Sequence, residues 1–154
     1  MPKASVKRLI ECEKDDLIKL VLDIEKYPEF VPFCFDAKVY EEKNQGDLIK
    51  IIADLTIGKG PFKDTYKSDV VLDKRKDTIF VKNIEGPLNH LSNNWTFTDK
   101  QNGITEIAFD IDFEIKNKFL NSLMVVSFQF GLEKIADAFQ RRAEELFSSS
   151  KNKI

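Results

Sequence analysis

From Ile107 to Ile115 every odd position is apolar (Ile107, Phe109, Ile111, Phe113, Ile115), and Ala108, Asp110, Asp112 and Glu114 fill the even ones. A period of two predicts a half-buried antiparallel strand. Asn117 follows as a helix cap, and the run from Lys118 to about Phe147 contains no proline and a single glycine, Gly131, so it predicts one long helix. Thirty residues at ~1.5 Å each span roughly 45 Å, more than a small domain needs to cover its own core. A helix of that length lying across a curved sheet is an arrangement that can enclose a space.

Upstream, the pattern predicts a strand at Val6–Ile10, then a short helix capped by Asp15 in which Leu17, Leu20, Val21 and Ile24 recur at helical spacing. Tyr27-Pro28 is expected to end that helix, because the residue before a proline is driven out of the α region. Beyond Pro32 the chain alternates: Phe35, Ala37 and Val39; a turn at Asn44–Asp47; then Ile49, Ile51, Ala53, Leu55 and Ile57. A break at Gly58–Pro61 leads into Phe62–Leu72, Lys74–Asp77 turns, Thr78–Ile84 and Leu91–Thr98 follow, and Asn102-Gly103 joins the last of these to the strand at Ile107. Hairpin-length connections make neighbouring strands antiparallel. The expectation is an α+β fold: a curved seven-stranded antiparallel sheet wrapped around a long C-terminal helix, in a single domain over 1–154 with 148–154 as a flexible tail.

With 154 residues, 42% hydrophobic and 32% charged, the chain has the composition of a soluble globular protein and needs no disulfide or metal to hold a core. Thirteen phenylalanines against three tyrosines and one tryptophan favour an apolar interior or an apolar cavity. A net charge of −2 excludes global attraction to nucleic acid, and no DNA partner is expected. Local basic positions at Lys3, Lys7, Arg8, Arg141, Arg142, Lys151 and Lys153 read first as solvated charge. Cys12 and Cys34 are too far apart for a CxxC motif and read as reduced thiols. The most apolar segment, Phe119–Leu132, is interrupted by Asn121, Ser122, Ser127 and Gln129 and is too short to span a bilayer. These features point to a cytoplasmic protein, at most peripheral to a membrane surface.

Catalytic chemistry is thin. The single histidine, His90, is expected in a turn, where it reads as structural, and no motif surrounds it with a nucleophile. No metal-ligand spacing occurs. Asp110, Asp112 and Glu114 share the polar face of their strand, and Gly58, Gly60 and Gly86 read as strand-end bends beside prolines. What remains is a concave apolar interior. Phe35, Phe62, Tyr66, Trp95, Phe97, Phe109, Ile111 and Phe113 are assigned inward from the sheet, with Leu123, Val126 and Phe130 facing them from the helix. Tyr27, Pro28 and Phe30 are assigned to the cavity mouth, near the N-terminal half of the helix, and Tyr66, Ser68, Asn93 and Asn94 are its polar groups. Simple packing of these side chains against one another is the competing reading; pockets of this kind are mostly apolar with a few polar groups.

Three segments carry a resemblance. Tyr27-Pro28-Glu29-Phe30-Val31-Pro32-Phe33-Cys34 is similar to a YPxFxPxC signature; Glu85-Gly86-Pro87-Leu88 with Leu91, Trp95 and Phe97 is the second; Asp112-Phe113-Glu114-Ile115 leading into a helix with Ala138-Phe139 is the third. Together they resemble the coenzyme Q-binding, polyketide cyclase-like family of START-related (Bet v 1-like) helix-grip proteins. Leu88 stands where that family prefers Phe, and Phe33 where Trp or a small residue is usual. The resemblance implies a lipid-sized cavity for a polyprenyl quinone such as ubiquinone, or another apolar small molecule, held as a ligand without enzymatic chemistry and with transient contact to a membrane surface. A bacterial toxin branch of the family implies a different partner, the large ribosomal subunit, with a block of subunit joining. A cyclase-type enzyme is the third alternative.

Overall fold

The computed structural model describes residues 3–59, 62–85, 88–116 and 118–148, and within these the side chains of Lys59, Phe62, Glu85, Leu88, Asn89, Ile115, 119–128 and Ser148 are outside the description. The expected cap Asn117, the glycines Gly60 and Gly86, and the tail beyond Ser148 therefore lie outside the described residues, as do the side chains of Phe62, Leu123 and Val126.

The alternating segments become strands β1 (Lys3–Ile10), β2 (Cys34–Gln45), β3 (Leu48–Lys59), β4 (Phe62–Asp73), β5 (Thr78–Glu85), β6 (Leu88–Asp99) and β7 (Thr105–Ile115). They form one sheet in the order β1-β7-β6-β5-β4-β3-β2, every neighbour antiparallel. The chain meanders from β2 to β7 and closes its order by pairing the last strand with the first, Val6 opposite Phe109. Turn chemistry sets the register. Gly46 at φ +65° and Asp77 at φ 53° turn two hairpins, and Gln101, Asn102 and Gly103 all take positive φ in a third. Asp73 Oδ1 accepts hydrogen bonds from the backbone N–H of Arg75 and Lys76, which fixes the bend before β5.

The period of two places Ile51, Ala53, Val70, Leu72, Ile79, Val81, Trp95, Phe97, Ile107 and Phe109 in one buried core on the concave side. Helix α1 (Lys14–Leu22) buries Leu17, Ile18, Leu20 and Val21 against it. Its cap is Glu13 rather than Asp15, without a side-chain cap bond; Asp15 and Asp16 occupy the first turn, where negative charge suits the exposed N–H groups. Nor does Tyr27-Pro28 end this helix. α1 stops at Leu22, a 3₁₀ turn follows at Ile24–Lys26, and Tyr27–Phe30 forms a separate helical turn, α2, with Pro28 inside its start. Proline lacks only an N–H that has no helical partner there, so it opens a turn as readily as it closes one.

Helix α3 runs from Lys118 to Ala143 and continues as a π-helical turn over Glu144–Ser148. Among its described side chains the buried stripe is Leu132, Ala136, Phe139 and Ala143, spaced four, three and four residues apart. Polar bonds along β1 set its direction: Arg8 pairs with Asp137, and Gln129 and Gln140 donate to the carbonyls of Ser5 and Leu9 at 3.0 and 3.3 Å. Among the described residues no helix is long and apolar enough to cross a membrane.

Gly131 lies inside α3, where a methyl group would meet the Phe33 ring at 3.7 Å, an ordinary contact distance. Gly131→Ala is therefore expected to stabilise the fold by about 0.5–1 kcal/mol through helix propensity, measured by urea denaturation; a loss of stability would show that the helix and the Phe33 segment pack more tightly than this geometry allows.

Candidate functional site

The concave face divides into two parts. At one end Trp95 packs against Phe97 (ring centroids 6.3 Å apart), Phe109 (4.2 Å) and, from α3, Phe139 (5.1 Å). Phe139 also meets the edges of Tyr27 and Phe30 at 5.4 and 5.1 Å. The Tyr27 hydroxyl donates to the Val21 carbonyl, and burial raises its phenol well above the usual range. These rings fill the space between the sheet and the C-terminal half of the helix as a solid aromatic plug.

At the other end Tyr66, Leu91 and Phe113 form a separate buried cluster, with Leu55 and Ile111 packed against it. Leu55, Ile111, Asn83 and Asn93 face the same concave side yet are only half-buried. Polar groups concentrate here. Ser68 is fully buried and donates from its hydroxyl to the Ala53 carbonyl at 3.1 Å. Asn83 Oδ1 accepts from the Leu91 N–H at 2.8 Å. Asn93, directly opposite Val81 on one side and Ile111 on the other, holds its Oδ1 buried with no hydrogen-bond partner among the described residues. A buried acceptor left in that state costs about 1–3 kcal/mol unless something completes it. Desolvation raises the Tyr66 phenol, so its hydroxyl stays protonated and remains a donor.

Of the residues expected inward, Tyr66, Trp95, Phe97, Phe109, Ile111 and Phe113 are brought together here, split between plug and cluster. Phe35 and Phe130 are not. Phe35 is the extra residue of a β-bulge between Cys34 and Asp36, which turns it outward to 45% exposure beneath the Lys63 ammonium at 4.0 Å. Phe130 is 63% exposed, with Lys134 at 4.7 Å from its ring, because the buried stripe of α3 passes along a different face. Asn94 is directly opposite Phe80 and Asp110, on the convex side, and is not a cavity group. His90 lies within β6 rather than in a turn, with Nε2 3.7 Å from Asp112 Oδ2 on that same convex side. Leu91 and Asn83, absent from the inward set expected above, are made members by strand pairing rather than by any local signal.

Pro28 and Phe30 wall a shallow groove, without Tyr27, which belongs to the plug; it lies against the C-terminal half of α3 and not the N-terminal half. Its volume is about 510 Å³, with Pro28, Phe30 and Pro32 facing Lys134, Asp137 and Arg141. Two of the basic residues noted in the sequence are already paired: Arg8 with Asp137, and Arg142 with Glu29 at 2.9 Å. Cys12 and Cys34 are buried thiols, and burial pushes Cys34 up to about 11. Among the described residues no three His, Cys, Asp or Glu side chains converge as metal ligands.

Residues 10–140 match the family described as polyketide cyclase / dehydrase and lipid transport. The chain is 30% identical over 142 residues to the ribosome association toxin RatA of Rickettsia prowazekii, covering 90% of this chain and 94% of that one. It is 31% identical over 140 residues to the mitochondrial coenzyme Q-binding protein COQ10 of Dictyostelium discoideum, covering 88% of this chain and 66% of that one. The solution structure of an 18 kDa protein from Caulobacter crescentus superposes with a TM-score of 0.78 at 25% identity, covering 95% and 98% of the two chains. A START superfamily protein from Mycobacterium smegmatis superposes with a TM-score of 0.77 at 18% identity, covering 94% and 98%, which shows the shared fold.

The plug makes two predictions. Phe139→Ala removes a fully buried ring that touches three others and should cost about 3–5 kcal/mol, whereas Phe30→Ala, from a half-buried position, should cost clearly less; equal losses in denaturant titrations would contradict the arrangement. Separately, the neutral Cys34 thiol is favoured by the fold, so its contribution is complete below the ordinary pKa of 9.0 and is lost as pH climbs through about 11. The buried phenols of Tyr27 and Tyr66 act with the same sign. Stability should therefore fall across that alkaline window while remaining flat between pH 7 and 8.5, as measured by melting temperature against pH.

Proposed function

The chain belongs to the polyketide cyclase/dehydrase and lipid-transport family, and we propose that it binds a polyprenyl quinone, ubiquinone or a close relative, as a non-enzymatic carrier supporting respiration. The observation that carries this reading is the division of the concave face. A rigid plug closes one end, and beyond it lies an apolar cluster whose members Leu55 and Ile111 are only half-buried, beside a small set of hydroxyl and amide groups. That is the composition of a site for an amphiphile with a long apolar tail. Burying an isoprenoid tail supplies about 25 cal/mol per Å² of apolar area, offset by the cost of ordering it. The name of the COQ10 relative, a coenzyme Q-binding protein, supports the same ligand class.

The carrier is read as non-enzymatic because the polar groups around the cluster are Tyr66, Ser68, Asn83 and Asn93. A hydroxyl and two amides do not titrate near neutral pH, and the Tyr66 phenol is moved further from it. Proton transfer in a cyclase-type reaction needs a group poised near the working pH.

A second reading has an observation of its own. The similarity to RatA, named a ribosome association toxin, extends over 94% of that protein. A role of this kind would use the outer surface. Lys134 and Arg141, both exposed at the groove beside α2, are the cations to test, since Arg8 and Arg142 are engaged in ion pairs.

The experiment is organic extraction of the purified protein followed by mass spectrometry. The carrier reading expects close to one quinone per chain, and Ile111→Phe, which adds volume at a half-buried concave position, should lower that loading about tenfold with little change in melting temperature. Absence of quinone, together with cosedimentation on large ribosomal subunits that Lys134→Glu and Arg141→Glu abolish, would replace it with the second reading.

A further inference from the structure

We infer that the surface made by the α2 turn and the outward face of α3 docks on an anionic lipid bilayer, with Phe130 entering the acyl-chain boundary and Lys134 and Arg141 meeting lipid phosphates. This goes beyond the carrier reading by naming the surface that meets a membrane.

Three observations join these residues into one surface. Phe130, Lys134 and Arg141 follow one another along α3 at spacings of four and seven residues, which places them on one face of the helix. Pro28, Val31 and Pro32 form the opposite wall of the groove that Lys134 and Arg141 line. At the Phe130 end, the Phe33 ring reaches the helix backbone at Gly131, where a methyl group would meet it at 3.7 Å. The α2 segment and the helix therefore run side by side over this length. Along it the protein presents Phe130 at 63% exposure, Pro28 exposed, and Val31 and Pro32 half-buried. An aromatic ring open to that extent beside aliphatic groups suits an apolar partner.

The charge of the surface is one-sided. Both carboxylates in the groove are engaged within the protein, Asp137 by Arg8 and Glu29 by Arg142 at 2.9 Å and Lys26 at 3.5 Å. Lys134 and Arg141 are exposed and have no carboxylate against them among the described residues. The ammonium of Lys134 lies 4.7 Å from the centre of the Phe130 ring. In a chain of net charge −2, this face is left locally cationic. A phenylalanine with a lysine beside it matches the boundary of a bilayer: the ring displaces headgroup water, and the flexible stem carries the ammonium up to the phosphates. A nucleic-acid backbone would use the two cations equally well. It would gain nothing from Pro28, Val31 and Pro32, so the apolar groups decide between the two.

The test is cosedimentation of the full chain with vesicles of phosphatidylcholine containing about 30% phosphatidylglycerol, compared with phosphatidylcholine alone. The wild-type protein should bind the anionic vesicles about tenfold more tightly and lose that advantage as salt is raised. Lys134→Gln and Arg141→Gln should each weaken binding about fivefold, and Phe130→Ala about tenfold. All three side chains are exposed, so melting temperatures should not move. Phe80→Ala, which trims a ring 44% exposed on the convex face, should leave binding unchanged. No binding of the wild type to anionic vesicles overturns the inference. So does binding that survives Phe130→Ala while the two cation changes abolish it, which is the behaviour of a surface for a phosphate backbone. Organic extraction of the same preparation separates the two proposals. Quinone in a protein that ignores vesicles overturns the docking surface alone; vesicle binding by a protein without quinone keeps the docking surface and overturns the carrier reading.

Discussion

The edge-on contact between Trp95 and Phe139 is the point at which three parts of the molecule meet. Trp95 belongs to the centre of the sheet, Phe139 to the C-terminal half of the long helix, and Phe139 in turn receives Tyr27 and Phe30 from the turn after the first helix. Aromatic edges and faces attract through their quadrupoles, beyond the area they bury. Here that preference locks the helix axis, the sheet and the α2 turn into one orientation. A helix of 26 residues fixed at one end by rings and along its flank by Gln129, Gln140 and Asp137 has a defined course over the concave face.

The outer surface shows how the same sheet carries aromatic residues it does not bury. Phe35 and Tyr40 are the two extra residues of the bulges in β2, an edge strand. Each lies under lysine: Lys63 over Phe35, and Lys38 and Lys67 over Tyr40. Phe130 has Lys134 in the same relation. A cation over an exposed ring contributes about 0.5–1 kcal/mol and covers apolar surface with a charged head. Bulges on an edge strand also twist it away from pairing with another chain. Exposed rings at these positions therefore follow from how the edge is protected.

Most of the fold was legible because a period of two, read over seven segments with turn residues between them, leaves little freedom in an antiparallel meander. The alternation at Ile107, Phe109 and Phe113 survives intact as buried positions. What could not be read was anything that breaks the period. The bulge after Cys34 leaves no mark in composition, so Phe35, in step with Ala37 and Val39 along the sequence, points the other way in space. The start of the long helix is apolar almost all round in sequence, and a pattern of that kind does not declare which face is buried, so it does not show that Phe130 faces outward. Tyr27-Pro28 was ambiguous in principle, since proline is equally at home after one helix and at the start of the next. Leu91 and Asn83 join the site through register, which is a property of two strands and not of either alone. Asn94, adjacent to Asn93, lies on the convex face by the same parity that puts Asn93 within.

Apolar walls alone discriminate poorly among lipids, because removing a methylene changes affinity only modestly and flexible tails adapt to the space. Discrimination comes from polar atoms that must be matched, and among the described residues around the Tyr66, Leu91 and Phe113 cluster these are a hydroxyl bound to a carbonyl, an amide bound to a backbone N–H, a protonated phenol and one amide oxygen without a partner. An interior whose only role was to stabilise the fold would do better with leucine at position 93, since a buried acceptor without a donor weakens the folded state. Asn93 lies on β6 between Leu91 of the buried cluster and Trp95 of the plug, and its unmatched oxygen is a cost that packing alone does not offset.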